Sequence, residues 1–163
     1  FVSTWQTLEE FKSDGRARSI GVSNFQVHHL ERLARDTETV PAVNQIEVHP
    51  YFTNDAVRAY GIEHTILTEA WSPIAQGDVL DDPVVGQIAQ KVAKTPAQVV
   101  LRWHIERGDI VFPKSSTPQR IKENIDIFDF ELSDDQIDEL TGLDKGEAGR
   151  RGPDPDTFDW IPK

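Results

Sequence analysis

Short apolar runs alternate with helical stripes along this chain, and that alternation limits the possible folds more than any other feature. Arg18 to Val22 (RSIGV), Ala42 to Val48 (AVNQIEV), Ile66 to Ala70 (ILTEA) and Ile110 to Pro113 (IVFP) read as strands. Before the first of them, Trp5, Leu8 and Phe11 share one face of a helix that Ser3 or Thr4 can cap and Gly15 can end. Val27, Leu30 and Leu33 mark a second helix; Asn54 caps a third to about Glu63, and Pro83 to Ala93 forms a fourth. Thr95-Pro96 and Thr117-Pro118 each set a capping hydroxyl before a proline at the first helical position. Gly108 should end the first of these two helices, and Ile121 and Ile125 lie along the second. Ser133 with Gln136 is a capping box for a last helix, and the Gly-, Pro- and Asp-rich tail from Gly146 to Lys163 predicts a loop.

Strands that alternate with helices imply a parallel sheet, either open and doubly wound or closed into a barrel. The predicted strands begin near residues 18, 43, 66 and 110, a mean step of about 31 residues. That step is what ~250 residues divided among eight units gives. Four parallel strands alone would leave two unpaired edges. The expectation is therefore an α/β chain covering the second half of a TIM (β/α)8 barrel, with residues 1–163 as the C-terminal half of one domain and the missing N-terminal half as its partner. The opening at Phe1-Val2, close to a helix and without methionine, agrees with that expectation.

Composition narrows the function. The net charge of -11 disfavours nucleic acid and acidic membranes, so a polyanionic ligand needs a local basic cluster. No apolar run approaches the ~20 residues of a spanning helix. With no cysteine the chain holds neither disulfides nor thiolate metal sites, and a cytoplasmic location is expected.

Each predicted strand carries or ends in a polar or aromatic cluster: Ser23-Asn24, Asn44-Gln45, Trp71-Ser72 and Lys114-Ser115. In a barrel the carboxyl ends of the strands share the face on which active sites are built. A nicotinamide carboxamide needs the donors and acceptors that Ser, Asn and Gln supply, and its ring needs a flat partner such as Trp71. Lys114, Ser115, the amides around Ser116 and Thr117, and Arg120 one turn into the helix suit a 2'-phosphate.

The runs GVSNF (21 to 25), VNQIEVHP (43 to 50), EAWSPIAQG (69 to 77) and FPKSSTPQRIKEN (112 to 124) resemble successive motifs of the aldo-keto reductases, in that family's order and spacing. The short loop after Gly77 and the tryptophan at position 71 are most similar to its prokaryotic 2,5-diketo-D-gluconate reductase-like members. The resemblance implies NADP(H) as cofactor, with Ser23, Asn24 and Gln45 on the nicotinamide amide and Trp71 stacked on its ring. It further implies Ser72, Ile74, Gln76 and Gly77 along the pyrophosphate, Lys114, Ser115, Ser116 and Arg120 on the 2'-phosphate, and Glu123 and Asn124 near the adenine. The implied activity is reduction of an aldehyde or ketone, a small-molecule carbonyl substrate, by hydride transfer. The family's catalytic Tyr, Asp, Lys and His come from its first four strands, so no catalytic residue is expected within this stretch. Tyr51 and Tyr60 lie outside the catalytic motif.

Taken singly, each cluster has a plainer explanation: Ser-Asn after a strand is usually a cap, and Lys-Ser a solvated turn. Trp5 and Trp103 fall on helix stripes and read as core. His28 and His29, adjacent on a helix, are not expected to face one metal, and His49 and His104 show no partner at ligand spacing. Glu69 at a strand end is a candidate buried acid. The tail with Phe158 and Trp160 is a candidate either to fold over a substrate pocket or to be disordered. The competing hypothesis is a non-enzymatic half-barrel that serves as a binding or structural module, because fold alone does not fix function.

Overall fold

The 3.6-residue spacing of Trp5, Leu8 and Phe11 produces the first helix, α1 (Val2–Ser13). It begins earlier than the capping hydroxyls predict: Phe1 is its N-cap, and no side chain caps it. Val2 packs against the cluster of Trp5, Ile20 and Leu33, and that burial draws the start of the helix ahead of Ser3 and Thr4. The computed structural model describes residues 1–159, and the chain divides into two compact units. The first comprises residues 1–46 and 55–69 with the tail from Pro153; the second comprises residues 47–54 and 70–152.

In the first unit, β1 (Val22–Ser23) pairs in parallel with β2 (Val43–Glu47), Val22 opposite Asn44 and Ser23 opposite Gln45. The predicted strand from Arg18 contracts to these two residues, preceded by one bond from the Ala42 N–H to the Ile20 carbonyl. Between the strands, α2 (Val27–Asp36) buries Leu30 and Leu33, as its stripe predicts. The Trp5 indole N–H donates to the Thr39 carbonyl at 3.1 Å, so the largest ring of this core is also hydrogen-bonded. The helix α3 (Asp55–Glu63) leads into β3 (Leu67–Trp71), which starts one residue later than predicted.

In the second unit, a 3-10 turn over Ala75–Asp81, absent from the sequence reading, precedes α4 (Pro83–Val92). The Asp82 carboxylate accepts the Val84 N–H at 2.9 Å and caps α4. The helix α5 (Pro96–Glu106) begins at the predicted Thr95 cap, which the Gln98 side chain completes into a capping box, and α7 (Asp134–Thr141) begins with the predicted Ser133–Gln136 box. Between them, β4 is confined to Ile110–Val111, and α6 (Pro118–Ile125) buries none of its residues. The predicted Thr117 side-chain cap is not made; the Ser115 hydroxyl instead accepts the Thr117 N–H at 3.2 Å. The helices α4, α5 and α7 pack on one another over Val85, Ile88, Val100, Trp103 and Leu140, all fully buried. Within the first unit the connection from β1 through α2 returns to the neighbouring strand β2.

Candidate cofactor site

Nine of the predicted site residues meet in one cavity of the second unit. Ile74, Gln76, Gly77, Lys114, Ser115, Ser116, Arg120, Glu123 and Asn124 all line a space of about 640 Å³, together with Asp81 and Thr95 to Ala97. Three segments build it, one of them the Thr95 to Ala97 start of α5. After β3 the backbone turns through left-handed conformations at Ser72 (φ 50), Ala75 (φ 49), Gln76 (φ 58) and Gly77 (φ 108). Such φ values are costly for residues bearing a Cβ, and Gly77 lies beyond the range that side chains tolerate. The opposite wall is the loop after β4 and the first turn of α6, whose leading N–H groups favour an anion. Lys114 and Arg120 supply two cations, balanced by Asp81 and Glu123, and the Gln119 amide engages Glu123 at 2.9 Å.

Trp71 and Ser72 close β3 in the same unit. The Trp71 indole is half-buried, and the backbone of Gly152 lies against its ring: a Cβ added at Gly152 would come within 2.3 Å of Trp71 Cη2. His104, fully buried, reaches the Pro73 carbonyl through Nε2 at 3.0 Å and Asp109 through Nδ1 at 2.9 Å. It thereby holds the start of the left-handed turn, a role its sequence position did not reveal.

In the first unit, Ser23, Asn24 and Gln45 lie side by side at the ends of β1 and β2. The Ser23 hydroxyl donates to the Gln45 carbonyl at 3.1 Å, and the Asn24 N–H reaches the same oxygen at 2.8 Å. Asn24 is itself left-handed, with φ 58. The Gln45 amide nitrogen donates to Glu69 at 3.2 Å, which orients its carbonyl oxygen away from that carboxylate. Asn44, by contrast, is buried and bound on both sides to the Phe25 backbone, at 2.8 and 3.3 Å, so it is a structural brace. Glu69 is only partly buried, which corrects its reading as a buried acid.

Among the described residues Glu47 and Asp109 are buried acids; Glu47 is 1% exposed and 3.0 Å from His49. Alternation along a strand sets residues two apart on one face, so the Glu-Val-His run was the available signal. The sequence reading left His49 without a partner.

Both tyrosine phenols are harder to ionise than usual. Burial and the 2.8 Å hydrogen bond to Asp82 push the Tyr51 phenol up to about 12, and burial with Glu31 and Glu63 raises Tyr60. His28 and His29 correct a further expectation: together with Asp156 they place ligand atoms within 4.8 Å of one another. However, the His29 Nδ1 lone pair accepts the Gln26 N–H at 3.1 Å, which leaves Nε2 carrying the ring's proton. A metal at that nitrogen would require breaking the helix cap. Burial and His28 lower the His29 pKa, in keeping with a neutral ring. Phe158 is 54% exposed, and Trp160 lies outside the described residues. Among the described residues no helix is long and apolar enough to cross a membrane.

Parallel strands alternating with helices make this an α/β protein, with left-handed strand-end turns and a cation-bearing cavity. The chain belongs to the aldo/keto reductase family, whose model matches residues 1–145. It is 48% identical over 160 residues to the methylglyoxal reductase DkgA of Escherichia coli K12, covering 97% of this chain and 58% of that protein. It is 51% identical over 156 residues to the glyoxal reductase of Bacillus subtilis 168, covering 96% and 56%. The crystal structure of Gox0644 in its apo form superposes with a TM-score of 0.95 at 48% identity, over 98% of this chain and 58% of that one. A mutant of Gox0644 has been solved in complex with NADPH. The chain thus spans a little under three-fifths of the length of these relatives, and its fold is a segment of the aldo-keto reductase (β/α)8 barrel.

Proposed function

We propose that this chain forms the NADP(H)-binding part of a cytoplasmic reductase that converts aldehydes or ketones to alcohols by hydride transfer. The observation that carries the reading is the cavity that gathers Lys114, Ser115, Ser116 and Arg120 at the start of α6. Its two cations and helix-start amides match a 2'-phosphate, and its volume is in the range of small-molecule sites. In this reading Gln76 and Gly77 approach the pyrophosphate through backbone, and Glu123 and Asn124 flank the adenine. Ser23, Asn24 and Gln45 hold the nicotinamide carboxamide, with Trp71 against its ring. The Glu69 bond that fixes Gln45 would leave the Gln45 oxygen to accept the carboxamide N–H. The bound nicotinamide supplies the hydride; these side chains orient it and exclude water from one face.

The proton donor and its supporting groups belong, on this reading, to the part of the whole protein that the relatives carry beyond the matched stretch. That part would also cover the apolar groove beside the strand β4, where Phe112, Ile125 and Phe128 are 46, 71 and 66% exposed. The relatives' names point to small dicarbonyls as first substrates to assay. The test is NADPH oxidation by the full-length protein with methylglyoxal, glyoxal and simple aldehydes. Turnover with NADPH well above that with NADH is the expected result; cofactor binding without any turnover would favour the non-enzymatic module instead.

A further inference from the structure

Glu47 sits buried at the end of β2, and a buried carboxylate is stable only when its oxygens are engaged. Oε1 accepts the Arg151 N–H at 2.6 Å and faces His49 Nε2 at 3.0 Å, and Oε2 accepts the Gly152 N–H at 2.9 Å. Burial pushes the Glu47 carboxyl up, but the donors from His49, Gly152 and Arg151 outweigh it and hold the group below its usual value. Among the described residues His49 Nδ1 has no hydrogen-bond partner, so the ring's proton is assigned to Nε2, where the carboxylate receives it. The two backbone donors are consecutive, so the carboxylate grips as a fork the two peptide groups that flank Arg151, the second being the Arg151–Gly152 peptide.

That peptide is pressed on the Trp71 indole. A Cβ at Gly152 would meet Trp71 Cη2 at 2.3 Å and Cζ3 at 3.2 Å, so only glycine lets the backbone lie flush on the six-membered ring. On the strand side, the Val48 N–H, just past β2, donates to the Trp71 carbonyl at 3.4 Å and so holds the backbone of the residue whose ring the clamp restrains. The Arg151 side chain reaches Asp78 at 2.9 Å, tying the same peptide to the turn that lines the cavity.

We propose that Glu47 is a positioning residue for the Trp71 indole, clamping the Arg151–Gly152 peptide against the ring so that the ring is already fixed in plane before a nicotinamide arrives. The inference rests on the reading that this indole stacks on the nicotinamide. A ring fixed beforehand loses less rotamer freedom on binding, and that saving appears in the affinity of the nicotinamide part alone. The chemistry of the 2'-phosphate cavity is untouched by it.

The test is calorimetric titration of the full-length protein with NADP+ and with 2',5'-ADP, which lacks the nicotinamide. The variants are Glu47→Gln, Gly152→Ala and Trp71→Ala. The Glu47→Gln side chain would present an amide NH2 group where a second carboxylate oxygen is needed. The methyl group added by Gly152→Ala displaces the ring without altering charge, so this variant serves if Glu47→Gln does not fold. The expected result is a loss of about 3- to 10-fold in NADP+ affinity for all three, the scale of an aromatic stacking contact, with 2',5'-ADP affinity unchanged. If Trp71→Ala loses NADP+ affinity while Glu47→Gln and Gly152→Ala do not, the positioning role is overturned and the stacking reading stands. If Trp71→Ala binds NADP+ as the parent does, the stacking reading falls and the inference with it. Equal loss of both ligands in the two clamp variants marks a merely structural role and overturns the proposal.

Discussion

Replacing Arg120 by alanine tests the cavity most directly. Arg120 lies in the first turn of α6, and the wall carries Lys114 and Arg120 against Asp81 and Glu123, so the formal charge of the lining is zero. Removing one cation makes that balance negative, just where a 2'-phosphate would bring nearly two further negative charges. A charge-assisted hydrogen bond contributes about 1.5–3 kcal/mol when well aligned. Arg120 is exposed, which places the expectation at the lower end, about 1.5 kcal/mol or roughly tenfold in Kd for NADPH. NADH lacks the phosphate, so its Kd should move by less than about twofold. The neighbouring change Glu123→Gln has the opposite sign, since it removes a carboxylate from the same wall, and should tighten NADPH severalfold, most at low salt. Titrations of the full-length protein with both cofactors at two ionic strengths read all of this. Equal losses of NADPH and NADH on Arg120→Ala, or a loss independent of salt, would refute the assignment of the cavity to a 2'-phosphate.

Trp103 is fully buried and donates its indole N–H to the Thr141 hydroxyl at 3.1 Å, so Trp103→Ala should cost about 3–5 kcal/mol in urea denaturation; a change below about 1 kcal/mol would deny it a core role. The Tyr51 phenol, pushed up to about 12, favours folding below pH 10, its ordinary value, and that contribution fades as pH rises through about 12. Ultraviolet titration of residues 1–163 carrying Tyr60→Phe, which leaves Tyr51 as the one tyrosine, should therefore show no phenolate until well above pH 10, and early ionisation would contradict the Tyr51–Asp82 bond. Glu47 has the reverse sign: its carboxyl is lowered, so its stabilisation is present above the ordinary carboxylate value and disappears as pH falls through the folded one. Glu47→Gln should accordingly flatten the acid limb of the stability curve, and an unchanged limb would mean the clamp contributes little. Finally, residues 1–163 expressed alone should bind a hydrophobic dye at the Phe112, Ile125 and Phe128 groove, whereas the full-length protein should not. A silent isolated chain would show that the groove is not the face that the rest of the barrel covers.

How much of this was legible in the sequence depended on how local the cause was. The Thr95 cap and the Ser133–Gln136 box were readable because each closes within one turn, and the cavity wall from Lys114 to Asn124 was readable because its residues are contiguous. The start of α1 was missed because Val2 is drawn in by a core assembled from Ile20 and Leu33, which outweighs the cap preference of Ser3 and Thr4. The turn over Ala75–Asp81 gives no periodic signal, since its geometry resides in the left-handed backbone of Ala75, Gln76 and Gly77. Glu47 was hidden for the strongest reason: its partner Gly152 stands 105 residues away in a tail whose composition reads only as loop. Local patterns report what a segment does with its own backbone, whereas a buried carboxylate reports what the chain must bring to it. A buried acid at the end of a strand, two residues before a histidine, therefore predicts that N–H donors will arrive from elsewhere, even though no pattern near it names them. The donors that do arrive come from the tail whose composition said least, and they press its backbone onto the one aromatic ring for which the sequence had already suggested a cofactor role.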